Sequence, residues 1–210
     1  MKNILAVLIS TSFVVSICSG QTVDQKLVKQ SFNNYKSAIL NDKGNEAAGF
    51  VDSRTIRYYS DILTLVKNAD SLQVDSLSVT DKLMVFSIRC RTSREDILSF
   101  DGKKLLAYAV NSGMVGKNSV ADNSIGNVTI DKDFAKGQLV VKGKAAPLYF
   151  HFYREEEQWK IDLTSIFPIT TKLFQGMADE SGQNTNDYLL SLLEIITGKK
   201  PGQEIWQPVK

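Results

Sequence analysis

The chain has 210 residues, with 25 basic and 23 acidic side chains and 43% hydrophobic residues. That balance excludes the basic footprint of a nucleic-acid binder and the acidic bias of a disordered tail, and the length suffices for one domain with a sizeable core. With 2 cysteines and 1 histidine a classical zinc site lacks ligands, and no cofactor motif is present.

Residues 1–20 stand apart from the rest. Lys2 supplies a thin positive start, and residues 4–17 form an apolar run interrupted by Ser10-Thr11-Ser12. At roughly 14 residues the run is too short to span a bilayer but suits the apolar region of a signal peptide. Cys18-Ser19-Gly20 offers small residues before a cut at Gln21. The reading is a signal peptide over 1–20 and a single exported α+β domain over 21–210, periplasmic or secreted. A rival reading anchors the chain by lipid on Cys18, although Ile17 fits the position before that cysteine poorly. No other stretch is long enough for a membrane helix, so no transmembrane segment is expected in the mature chain. Loss of 1–20 leaves Cys90 without an internal disulfide partner. It follows the apolar run 83–88 and reads as a buried small hydrophobe.

Taken in order, Thr22 is placed to cap a helix through Leu40, with Leu27, Val28, Phe32, Tyr35 and Ile39 along one stripe. Asp42-Lys43-Gly44-Asn45 breaks it, and a short helix carrying Ala47, Ala48, Phe50 and Val51 follows. Ser53 is a plausible cap for the next helix, to about residue 68, where Ile56, Tyr59, Leu63 and Val66 recur at spacings of three and four. Further helices are expected over residues 81–91, 94–100 and 103–111, the last stopped by Gly113.

Residues 125–166 change period. Leu148, Phe150 and Phe152 alternate with Tyr149, His151 and Tyr153, and Trp159, Ile161 and Leu163 alternate with Lys160, Asp162 and Thr164. The polar run 154–158 between them reads as a hairpin turn. With strands over 126–131 and 134–142, this predicts a four-stranded antiparallel meander. The expected register sets Phe152 opposite Trp159, Phe150 opposite Ile161 and Leu148 opposite Leu163, making one apolar face for the helices. Tyr149, His151 and Tyr153 then share the other face with Lys160, Asp162 and Thr164. Two tyrosines and a histidine in line suggest a contact face for a second copy of the chain, the C-terminal extension or another protein. Beyond the meander, Pro168 separates the last strand from helices over 170–179 and 187–197, and Trp206 should dock the tail on the body.

Motifs that carry chemistry are absent. Residues 113–118 have a superficial likeness to a phosphate loop, but Asn111 and Asn118 stand where Gly and Ser or Thr belong. Asp131-Lys132-Asp133 starts like a calcium loop and fails at Ala135 and Lys136. Triad catalysis would need His151 as base, and no nucleophile elbow accompanies it. Asn127-Val128-Thr129 fits a glycosylation sequon. Tyr58, Tyr59, His151 and Asp162 are the scattered titratable candidates, and the test of an enzyme is whether any of them converge in one concave pocket.

Two stretches resemble the nuclear transport factor 2-like (SnoaL-like) superfamily. One is the helix Phe32-Asn33-Asn34-Tyr35-Lys36-Ser37-Ala38 followed by Asn41-Asp42-Lys43-Gly44 and Ala47. The other is Phe150-His151-Phe152, a charged turn, then Trp159-Lys160-Ile161-Asp162. The resemblance implies a curved antiparallel sheet wrapped round helices as a cone with a cavity. It also implies either a non-catalytic binding domain or an isomerase, hydratase or cyclase working in that cavity, with no catalytic residue carried over. The helical residues 70–112 and the extension 170–210 depart from the family's usual pattern. The function reading is an exported, non-catalytic binding or interaction domain for a small molecule or protein. The alternative is a small-molecule enzyme with a sheet-lined cavity.

Overall fold

A computed structural model describes residues 22–209; the segment read as a signal peptide, including Cys18, lies outside the described residues. Among the described residues seven α-helices precede the sheet: α1 (Val23–Leu40), α2 (Gly44–Ala47), α3 (Ser53–Asn68), α4 (Ser71–Asp75), α5 (Val79–Arg91), α6 (Arg94–Ser99) and α7 (Gly102–Asn111). The strands β1 (Asn123–Asp131), β2 (Phe134–Val141), β3 (Lys144–Glu155) and β4 (Gln158–Asp162) pair in sequence order as an antiparallel meander. Helices α8 (Phe167–Ser181) and α9 (Thr185–Thr197) follow. The α+β class and the curved four-stranded sheet are as the sequence predicts. Register shifts between Ile125 and Val128 and between Gln138 and Val140 bend the strands.

Capping explains most of the helix starts. Thr22 and Gln25 form a reciprocal capping box at α1, with Gln25 N–H donating to Thr22 Oγ1 at 3.2 Å and Thr22 N–H to Gln25 Oε1 at 2.8 Å. At α3 the cap is Asp52, not Ser53: Asp52 Oδ1 accepts from Thr55 N–H at 2.9 Å. The Ser53 hydroxyl instead donates to Glu155 Oε1 across the hairpin, at 2.7 Å. Both residue types cap well, and the one whose carboxylate is buried beside the helix start takes the role. Helix α4, unread in the sequence, is a single turn made by an Asp70–Gln73 capping box. Pro168 does not delay α8 to residue 170, because it sits in the first turn, where its missing N–H has no intrahelical partner to lose.

The β3–β4 register differs from the expected one by two residues. Phe152 faces Ile161, and Arg154 faces Trp159. The turn is not the whole polar run 154–158 but only Glu156 and Glu157, both at positive φ (50° and 59°), a pair that matches the twist of a tight hairpin. A shift of two preserves side-chain parity, so Phe150, Phe152, Trp159 and Ile161 still share the buried face. Leu163 and Thr164 lie beyond β4, in a 3-10 turn over Leu163–Ile166. The β4 edge is closed by residues 50–52, with Ile161 N–H donating to Phe50 O and Asp52 N–H to Ile161 O, each at 2.9 Å.

One continuous core joins α1, α3, α5 and α7 to the sheet, α9 and the tail. The tail docks: Trp206 lies 4.7 Å from Phe86, and Ile205 is buried. Arg89 ties it down. Its guanidinium donates to the carbonyls of Leu65, Val66 and Ala69 at the end of α3 and to Ile205 O. Desolvation lowers its pKa to about 10, which still leaves it charged at neutral pH. Cys90 is half-buried against the same core. Among the described residues no helix is long and apolar enough to cross a membrane.

Candidate functional site

Helix α5 turns two stripes inward. One carries Val85, Phe86 and Arg89 into the core and tail contact. The other carries Leu83, Met84, Ser87, Ile88 and Arg91, whose spacing of three and four sets them on one side of the helix. This second stripe does not meet a filled surface. It lines a cavity of about 380 Å³, closed by Tyr59 from α3, Ala109 from α7, Ile196 from α9 and residues 113–116.

Small residues account for the open space. Ser87 and Ala109 stand where larger side chains would fill the gap, and the loop after α7 adds Gly113 and Gly116. Gly113 takes φ 68°, ending α7, and Val115 N–H then donates to Ala109 O at 2.9 Å, folding the loop back over the helix end. Met84 and Met114 give the wall an adaptable surface.

Three polar side chains, Ser87, Tyr59 and Arg91, interrupt this otherwise apolar lining. Tyr59 is only 6% exposed, and its hydroxyl has no hydrogen-bond partner among the described residues. Burial pushes its pKa up to about 12, so it is a neutral donor at physiological pH. The neighbouring Tyr35 phenol is raised further by burial and by Tyr59. Arg91, half-buried at the end of α5, has no ion-pair or hydrogen-bond partner for its guanidinium among the described residues. A second cavity, of about 260 Å³, lies between α1 and β4. Gln30, Asn34, Glu157 and Gln158 mix with Leu27, Phe50 and Trp159 in its lining, and it is more open to solvent.

The predicted sheet face loses Thr164 to the turn beyond β4 and is not open. Tyr149 alone is exposed, at 46%. Tyr153 lies under the Arg54 guanidinium, 3.5 Å from its ring centroid. The Lys160 ammonium donates to Gly49 O. Asp162, placed by the sequence on a solvated face, is 5% exposed and accepts from Thr164 N–H (2.9 Å) and Thr164 Oγ1 (2.5 Å). His151 pairs across strands with Asp162 and packs edge-on against Phe134 at 5.1 Å. Its pKa is lowered by burial and Lys136, against an opposing pull from Asp162. Ser165 is close, but it receives the His151 backbone N–H and donates to Asp162 O, so no nucleophile–imidazole hydrogen bond exists among the described residues.

The four scattered titratable candidates do not converge. Tyr58 donates to Asp81 Oδ1 at 2.7 Å and packs on Phe167; His151 and Asp162 lie on the sheet; only Tyr59 reaches the apolar cavity. Sequence reading missed Arg91, Ser87, Ala109 and Met114. The available signal was the α5 stripe, which continues into an arginine rather than ending on an apolar residue. Among the described residues no group of three or more His, Cys, Asp or Glu is placed to hold a metal. Comparison with protein-family models, curated proteins and solved structures returned no significant match.

Proposed function

We propose that the chain is an exported binding domain that takes a small, largely apolar molecule into the cavity between α3, α5, α7 and α9. The observation that carries this is the cavity itself: about 380 Å³, apolar in most of its lining, with the Tyr59 hydroxyl at its wall free of a hydrogen-bond partner among the described residues. Preformed cavities of roughly this size, with few polar groups set in apolar walls, are typical small-molecule sites. The titratable candidates of an acid–base enzyme are dispersed over three separate places, which favours binding over turnover. The likeness to the nuclear transport factor 2-like superfamily would supply a sheet-lined cavity, whereas this one is walled by helices and a loop.

Titration of the protein with the neutral fluorophore N-phenyl-1-naphthylamine tests the reading. Saturable enhancement is expected, and Ser87→Phe and the loop variant Met114→Trp should each abolish it while melting within a few degrees of the parent. Enhancement that is absent, or indifferent to both substitutions, would overturn it. Export is checked separately by intact mass of the chain recovered outside the cytoplasm, which should begin at Gln21.

A further inference from the structure

Resting on that reading of the cavity, we infer that its ligand is an amphiphilic anion, a monocarboxylate with an apolar body, whose head group is received by Arg91. The α5 stripe sets the order of chemistry along the wall: Leu83 and Met84, then Ser87 and Ile88, then Arg91 at the last turn. An apolar body lying along this stripe meets hydrocarbon and thioether for two turns and then a guanidinium.

Arg91 differs from basic groups whose charge is already matched within the fold. Arg89 spends its donors on four backbone carbonyls. Lys82 is buried against Asp75 and Asn186, and Arg154 pairs with Asp24. Arg54 pairs with Asp52 and covers Tyr153. Arg91 is a half-buried residue at the wall of an apolar space, and its planar fork of donors is uncommitted among the described residues. A carboxylate matches that fork with two parallel hydrogen bonds, and the partial burial makes the pairing stronger than it would be in open water. The last turn of a helix disfavours an anion through its free carbonyls, so the side chain, not the backbone, must supply the attraction. The Tyr59 hydroxyl, neutral and unpartnered, offers one further hydrogen bond from α3.

The test uses the full mature chain and the neutral reporter N-phenyl-1-naphthylamine, displaced at neutral pH by decanoate, by decan-1-ol and by decyltrimethylammonium, each below its micelle concentration. Decanoate is expected to displace the reporter at about tenfold lower concentration than decan-1-ol, the scale of one charge-assisted bidentate contact. The cationic analogue should be the weakest. Arg91→Met should erase the preference for decanoate, and Arg91→Lys should retain part of it. Equal displacement by acid and alcohol, or a preference that survives Arg91→Met, would overturn the head-group assignment while leaving the cavity as a binding site. Loss of reporter binding in the parent chain would remove both. Because the Arg91 variants are scored by a ratio of two ligands on the same protein, partial unfolding cannot imitate the expected result.

Discussion

Inward of the open cavity beside Ser31 and Trp159, the space between α1 and the sheet is filled to contact. The Phe32 and Phe150 rings sit 5.6 Å apart, Ser31 Oγ donates to Trp159 O at 2.7 Å, and Asp24 accepts from both Trp159 Nε1 and Arg154. Gly137 has no side chain because a Cβ there would come within 2.6 Å of Ile125 Cγ2 and 3.0 Å of Phe152 Cε2. Between α5, α7 and α9 the opposite holds: Ser87 and Ala109 leave a void, and the Tyr59 hydroxyl goes without a partner. Native interiors are packed like crystals of small molecules, so an unfilled apolar region is the departure on which the proposed binding role rests. The packed half fixes the shape, and the unpacked half holds the cavity.

Large-to-small substitutions break the comparison most visibly. Phe152→Ala, in the filled half, should cost about 3–5 kcal/mol, since the surrounding side chains cannot collapse. Leu83→Ala, beside the cavity, should cost only about 1 kcal/mol, because part of its surface already faces open space. Denaturant unfolding of both variants measures the contrast, and equal losses would mean the two halves are packed alike.

Hydroxyl deletions sharpen the same contrast at smaller scale. Ser31→Ala removes a buried hydrogen bond to Trp159 O and should cost about 1 kcal/mol. Tyr59→Phe removes a group with nothing to lose and should fall within about 0.5 kcal/mol of the parent in the same measurement. A large loss at Tyr59 would show that its hydroxyl is already satisfied in the folded chain.

The smallest effect lies on the sheet face. The folded-state pKa of His151 is depressed below its ordinary 6.5, with Asp162 pulling upward and Lys136 pushing down. The unfolded chain therefore binds the proton more readily. The contribution of neutral His151 is fully present above that ordinary value and is lost as pH falls through it, levelling off below the folded-state pKa. Thermal melts across this range should show a shallow fall in stability toward acid that His151→Gln removes.

Much of this architecture was legible in the residues. The stripe through Phe32, Tyr35 and Ile39, the alternation from Leu148 to Tyr153 and the stop at Gly113 depend on period and local backbone preference, which act within a few residues. Which face of the meander is buried was equally readable, because parity survives a two-residue shift; the shift itself was not, because it rests on whether Glu156 and Glu157 accept positive φ. The cap at Asp52, the burial of Asp162 beneath Thr164, and the role of Arg54 over Tyr153 all join residues distant in the chain or settle a choice between adjacent equals. The cavity is the clearest case. Each of its residues reads as ordinary in its own helix, and the void arises only from how α3, α5, α7 and α9 meet. Local sequence determined which elements form and which sides are apolar; the space left between those sides, and the uncommitted arginine at its wall, were decided by packing at a distance.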